Sequence, residues 1–243
     1  MFNRALHFLS SMVTRWFSEN YGRHLIGQYV SEIDECATVL DLGPGSGDDL
    51  LICRDRFPAA LLIGVESHEP YVCHLESLDI KVITLNIERG TLPLEDGSVD
   101  VIILNQILEH IKEVFWVLHE CSRVLKKGGT LIVGVPNLAA WHNRLILLLG
   151  VQPPAIASLS CHVRGFTGGD LAQLLQSGGL NVEQRLSAGF YPFPPFIARV
   201  LAKLLPNLGW SIHMLARKNT EYHDEFLRVA KKFTETQFYL GDK

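Results

Sequence analysis

At 243 residues, 47% of them hydrophobic and 20% charged, the chain has the composition of a globular protein and not of a broadly disordered one. Its formal charge of −4 supplies none of the basic excess expected of a nucleic-acid binder. The five cysteines, Cys36, Cys53, Cys73, Cys121 and Cys161, are odd in number and never form a C-x-x-C pair, which suits buried thiols in a reducing compartment, not a disulfide frame.

Residues 1–36 read as an N-terminal helical segment, with Leu6, Leu9, Val13, Trp16 and Phe17 at helical spacing. Arg4, His7 and Arg15 interrupt it, so it does not read as a signal peptide, and a cytoplasmic location is expected. Short apolar runs follow: "ATVLDL" (37–42), "LLIGVE" (61–66), "KVITLN" (81–86), "VDVIILN" (99–105) and "TLIVGVP" (130–136). They are too short and too continuously apolar for surface helices and match strands buried on both faces. Helices are expected between them over 48–57, 70–78 and 111–125, the last stopped by Lys126, Lys127, Gly128 and Gly129. This alternation predicts a doubly wound α/β sheet.

Further along, helices are expected over 138–149 and after Thr167, ending at Gly178 and Gly179, with strands over 180–187 and 210–218. Residues 190–209 read as an inserted helical cap within a domain spanning 37–218, and 219–243 as a charged helical tail. The longest uncharged run, Leu145 to Cys161, contains Pro153 and Pro154 and falls short of the roughly 20 apolar residues of a spanning helix, so no transmembrane segment is expected.

The stretch "VLDLGPGSGDD" (39–49) places Gly43, Gly45 and Gly47 between the first strand and a helix, so that a ligand can approach the backbone closely. A G-x-G-x-x-G dinucleotide loop is not completed, because Asp48 holds the last position, and no P-loop lysine follows. Asp48 and Asp49 complement the helix dipole but repel a pyrophosphate, so the loop fits a ligand with a positive centre. Glu66, about twenty residues on, is placed to accept both hydroxyl protons of a ribose. Asn86 is placed to hydrogen-bond an adenine edge, with Ile87 packing on its face. Asn105 and Gln106 stand on the carboxyl edge of the fourth strand, where open α/β sheets bind ligands.

Among the ten histidines, His110 and His119 are not spaced to share a helix face, no H-E-x-x-H occurs, and no metal site is expected. His110 is the one candidate base, and His142, His162 and Arg164 are candidates to line an acceptor pocket.

"VLDLGPGSG", "IGVE", "LNIERGTLPLEDGSVDVIILNQILEHI" and "EVFWVLHECSRVLKKGGTLIVGVPN" resemble the successive motifs of class I S-adenosylmethionine-dependent methyltransferases, and the 86–150 stretch is similar to their MetW-like group. The "CHVRGFTGGDLAQLLQSGGL" segment resembles the H-[LV]-R-x-F-T region of small-molecule and glycan-linked methyltransferases, with Gly165 in place of the usual aromatic. The resemblance covers about 37–187 and implies a Rossmann-like seven-stranded sheet with its last strand antiparallel. It implies S-adenosyl-L-methionine as cofactor, held by Asp41, Gly43, Gly45, Gly47, Glu66, Asn86, Ile87 and Asn105, with Asn86 where Asp is more usual. The expected activity is methyl transfer to a small-molecule or lipid/glycan-linked acceptor, at oxygen first, with nitrogen and carbon open, and residues 190–209 offer a peripheral membrane contact. The alternative is a MetW-like protein that binds the cofactor and serves as partner or regulator of another enzyme.

Overall fold

The computed structural model describes residues 22–242. The expected helical turns within 1–21 lie outside the described residues. What the structure describes of that segment is helix α1 (Arg23–Ser31), which buries Leu25, Ile26, Tyr29 and Val30.

Seven strands form one sheet: β1 (Thr38–Leu42), β2 (Leu61–Val65), β3 (Lys81–Ile83), β4 (Val99–Asn105), β5 (Leu125–Pro136), β6 (Leu180–Ala188) and β7 (Ser211–Lys218). Their order is β3-β2-β1-β4-β5-β7-β6, with β7 antiparallel to both its neighbours and the remaining pairs parallel. The Rossmann-like seven-stranded arrangement with an antiparallel last strand is therefore present. Alternate residues serve opposite faces: Leu40, Ile63, Ile102 and Val133 pack in one core, and Val39, Leu62, Ile103 and Ile132 in the other. That two-sided burial is why these strands read as unbroken apolar runs.

Helices α2 (Asp48–Arg56) and α3 (Glu69–Ser77) join α1 on one face, and α4 (Val114–Val124) and α6 (Gly168–Ser177) cover the other. α2 carries Asp48 and Asp49 in its first turn and Arg54 and Arg56 in its last, both complementary to the helix dipole. The α6 start is capped by Thr167, whose Oγ1 accepts the Asp170 N–H. Two expected boundaries differ. β5 begins directly at Leu125, so Lys126 and Lys127 lie in a strand and not in a helix stop, and Lys126 Nζ pairs with Asp100 Oδ1 at 2.6 Å. β3 ends at Ile83, three residues early, and Asn86 then opens a turn in which its O accepts the Arg89 and Gly90 N–H groups at 3.2 and 2.7 Å.

α5 (Trp141–Leu148) follows β5, and α7 (Pro195–Leu204) lies in the expected cap, with Ala198 and Ala202 buried. The tail is not one charged helix. Among its described residues only α8 (Glu225–Ala230) is an α-helix, and the chain then packs Phe233, Phe238 and Tyr239 against Phe115 and Trp116 of α4. Among the described residues no helix is long and apolar enough to cross a membrane.

Strand order reverses direction between β1 and β4, and the crevice outside the carboxyl ends at such a switch point is where open α/β sheets bind ligands. Both the glycine loop and the Asn105–Gln106 step open onto it.

Candidate functional site

Gly43, Gly45 and Gly47 all adopt positive φ, at 72°, 53° and 81°, a conformation in which any side chain is strained. Their surroundings separate their roles. A Cβ at Gly43 would lie 2.8 Å from Ile107 Cδ1, and one at Gly47 2.7 Å from Leu75 Cδ2, so both glycines approach the protein's own side chains. A Cβ at Gly45 would meet nothing within 4 Å. Gly45 is thus the position where bare backbone faces open space.

Asp41 at the end of β1 is buried, and its Oδ2 has no hydrogen-bond partner. Asp49, buried in the first turn of α2, accepts from Asn105 Nδ2 at 2.8 Å and leaves Oδ1 without a hydrogen bond. Burial pushes the Asp41 carboxyl well above the usual carboxylate range, and the neighbouring Asp49 adds to the shift. Burial raises Asp49 as well, against the Asn105 hydrogen bond and the Arg23 charge. Two desolvated carboxyls in one place favour a cationic ligand group, which relieves both. Arg23, from α1, contributes a positive charge that the sequence pattern did not single out. Its Nη1 lies 2.9 Å from Asp48 Oδ2, and its Nε 3.8 Å from Asp49 Oδ1. Nothing in an isolated "GRHL" marks such an arginine, because it reaches the loop only through the packing of α1 on α2.

Strand register supplies the floor of the crevice. Asn105, Gly134 and His213 are paired neighbours across β4, β5 and β7. Gly134 has no side chain, so its neighbours crowd over it: a Cβ there would lie 2.3 Å from Asn105 Oδ1 and 2.6 Å from His213 Nδ1. Neither of those two atoms has a hydrogen-bond partner. Beyond them Gln106 takes a left-handed φ of 58°, donates its N–H to Gly134 O at 2.7 Å and leaves Nε2 buried and unpaired. Glu109, in the helical turn Leu108–His110, is 2% exposed with Oε2 unpaired, and burial pushes its carboxyl up to about 7. Sequence reasoning passed over Glu109 in favour of the adjacent His110, since nothing local reports that a carboxylate after an apolar strand is buried.

Buried polar side chains are normally hydrogen-bonded. Here Asp41, Asp49, Asn105, Gln106 and Glu109 all follow or flank the carboxyl ends of β1 and β4 with one polar atom unmet. Ligand groups of matching polarity would satisfy them.

The remaining expected residues lie on adjoining turns. Glu66, after β2, accepts the Ser67 and His68 N–H groups on Oε1, each at 2.8 Å, which fixes the carboxylate and leaves Oε2 available. Asn86 is exposed and uses Oδ1 to accept the Glu88 N–H at 3.0 Å, while Ile87 packs against the main core. Asn86 is therefore a turn-former, with only its amide nitrogen left to meet a ligand. Gly165 has no room for the usual aromatic, since a Cβ there would lie 2.6 Å from Ile156 Cγ2.

The histidines divide. The rings of His110 and His162 meet edge-on with centroids 4.8 Å apart, and the chain around them is tied by Val163 and Arg164 N–H groups donating to Glu109 O at 2.8 and 3.2 Å. His142 instead stacks on Trp210, with centroids 4.9 Å apart, in an aromatic cluster with Tyr191. His119 stands apart on α4, its Nδ1 3.0 Å from Tyr222 Oη.

Residues 40–133 match the family model described as a methyltransferase domain. That match contains the end of β1, the glycine loop, Glu66, Asn86 and β4. Over this stretch the chain is similar to S-adenosylmethionine-dependent methyltransferases. A relative from Mycolicibacterium smegmatis described as a "Probable S-adenosylmethionine-dependent methyltransferase" is 31% identical over 148 residues, covering 61% of this chain and 53% of the relative. The chain spans about half that relative's length, and a third or less of two others. Among solved structures, a chain from the Haloferax volcanii complex between the Trm112 methyltransferase activator and a methyltransferase superposes with a TM-score of 0.62 at 18% identity, over 86% of this chain and 94% of that one. The Burkholderia thailandensis 1,6-didemethyltoxoflavin-N1-methyltransferase, solved with S-adenosylhomocysteine, gives 0.58 at 15% identity over 88% and 86%. These two likenesses show the fold, over 86% and 88% of this chain.

Proposed function

We propose that the protein moves a methyl group from S-adenosylmethionine to a hydroxyl oxygen of a small-molecule or lipid/glycan-linked acceptor. The observation that carries this reading is the set of unmet buried polar atoms beside the open backbone of Gly45, one strand away from the pre-fixed carboxylate of Glu66.

The donor set fits the cofactor. Glu66 would hold the ribose diol through Oε2. Asp41 and Asp49 would face the ammonium, and Arg23 the carboxylate, of the amino-acid end. Ile87 would pack on the adenine, with the Asn86 amide nitrogen at its edge. When bound, the cofactor supplies a methyl already activated on sulfur, so the protein's task is to align an acceptor oxygen within about 3–3.5 Å of it and exclude water. Gln106 and Glu109, which follow the carboxyl end of β4, would face the acceptor. An apolar or lipid-linked acceptor is supported by the large apolar side chains left in water on α5 and α7, where Leu148 is 83% and Phe196 72% exposed.

Calorimetric titration with S-adenosylhomocysteine tests the cofactor site. Glu66→Ala removes a charge-assisted acceptor, a loss of about 1.5–3 kcal/mol, so affinity is expected to fall roughly 10- to 100-fold. Glu66→Gln, which keeps an acceptor for Ser67 and His68, is expected to fall in between. Unchanged affinity in Glu66→Ala would remove the ribose assignment. Isotope-labelled methyl followed from the cofactor into a panel of hydroxylated acceptors tests the transfer. Binding without transfer, together with a stable co-purifying protein, would favour the MetW-like partner reading instead.

A further inference from the structure

Outside the cofactor residues, the structure gathers three ligand-type side chains from two segments. One ring nitrogen from each of His110 and His162 and the Cys161 thiol lie within 4.8 Å of one another. Both imidazoles are held by their Nδ1 atoms. His110 Nδ1 lies 3.3 Å from the Cys161 carbonyl oxygen, and His162 Nδ1 lies 3.0 Å from that of Ala155. A carbonyl accepts only from an N–H, so each ring carries its proton on Nδ1 and presents a lone pair on Nε2. A second ring nitrogen donated to a backbone carbonyl is the usual support of a metal-bound histidine. The main-chain bonds from Val163 and Arg164 to Glu109 O hold the two segments in this register without a metal.

From this geometry we propose that His110, Cys161 and His162 bind a divalent transition-metal ion of the zinc class. Two imidazole nitrogens and a thiolate are the donor types zinc selects, and hard cations such as magnesium, which want oxygen, are disfavoured. Zinc–nitrogen bonds of about 2.0–2.1 Å and a zinc–sulfur bond of about 2.3 Å set ligand–ligand edges of roughly 3.4–3.7 Å. The side chains must therefore close by up to about 1 Å, a movement within reach of small side-chain rotations. Three protein ligands leave a fourth tetrahedral position open, the arrangement of a site that takes an exogenous ligand. The sequence alone gives no sign of this cluster, because His110 stands 51 residues from Cys161 and no motif joins them.

The test reads metal and not turnover, so its failure is separate from failure of the methyl-transfer reading. Full-length protein freed of metal with a chelator is titrated with Co²⁺, then with Zn²⁺ in competition. One equivalent is expected to bind with thiolate-to-cobalt charge-transfer absorption that Zn²⁺ abolishes. Cys161→Ser should lose that absorption, and His110→Gln and His162→Gln should each weaken binding at least about 10-fold. S-adenosylhomocysteine affinity and the melting temperature on the same samples report whether each variant is folded. Cys161→Ser alters an exposed side chain and serves if a histidine variant does not fold. Absence of stoichiometric binding in the parent protein, or absorption and affinity unchanged in folded Cys161→Ser, would overturn the proposal.

Discussion

Gly45 differs from the two glycines beside it in what surrounds it, although all three share the left-handed backbone. Alanine at Gly45 accepts a left-handed conformation at a cost of about 1–2 kcal/mol and collides with nothing in the protein. Gly45→Ala is therefore expected to fold, with a melting temperature lowered by several degrees, and to bind S-adenosylhomocysteine at least about tenfold more weakly, because the added methyl occupies the space the ligand needs. Calorimetry and thermal denaturation on one sample check both parts, and full affinity in Gly45→Ala would take the ligand away from this loop. Gly47→Ala should behave the opposite way, losing stability first, since its Cβ is driven into Leu75 of the core.

At the scale of elements, β7 has the largest consequence. As the antiparallel strand inserted between β5 and β6, it carries His213 fully into the sheet, where Ser211 Oγ is 3.0 Å from its Nε2. Burial, with a smaller contribution from His24, pushes the His213 imidazole from its ordinary 6.5 to about 3. The folded protein thus refuses a proton that the unfolded chain accepts below pH 6.5, so this residue's contribution to stability is complete above 6.5 and is lost as pH falls towards 3. Between pH 7 and 4.5 the loss is about 3 kcal/mol at 1.36 kcal/mol per unit. Asp41 and Asp49, with raised pKa values, act in the opposite direction, so the comparison with His213→Gln isolates the term. Urea denaturation at the two pH values is expected to show a smaller acid-induced loss in His213→Gln than in the parent. Equal losses would mean that His213 titrates normally.

At the scale of the whole molecule, α7 leaves an apolar stripe in water. α7 buries Ala198 and Ala202 and turns Phe196, Val200 and Leu204 outward at four-residue spacing, with Leu204 70% exposed. Large apolar side chains left in water along one stripe mark a contact surface. If the acceptor is amphiphilic, Phe196→Ser with Leu204→Ser is expected to raise its KM several-fold while leaving S-adenosylhomocysteine affinity and the melting temperature unchanged. An unaltered KM for every amphiphilic acceptor would restrict the helix to another role.

Local sequence determined the strands, the positive-φ loop, the acid at the end of β2 and the polar step after β4. Each of these is imposed by burial on both faces of a sheet or by a backbone that only glycine tolerates, and such demands fall on consecutive residues. The tertiary structure alone decided which side chains meet: Arg23 over the first turn of α2, Asn105 and His213 across the bare Gly134, the aromatic tail against α4, and His110 beside Cys161 and His162. Those pairings join segments tens of residues apart or more, and strand register and helix packing, which bring them together, leave no periodic trace in the chain.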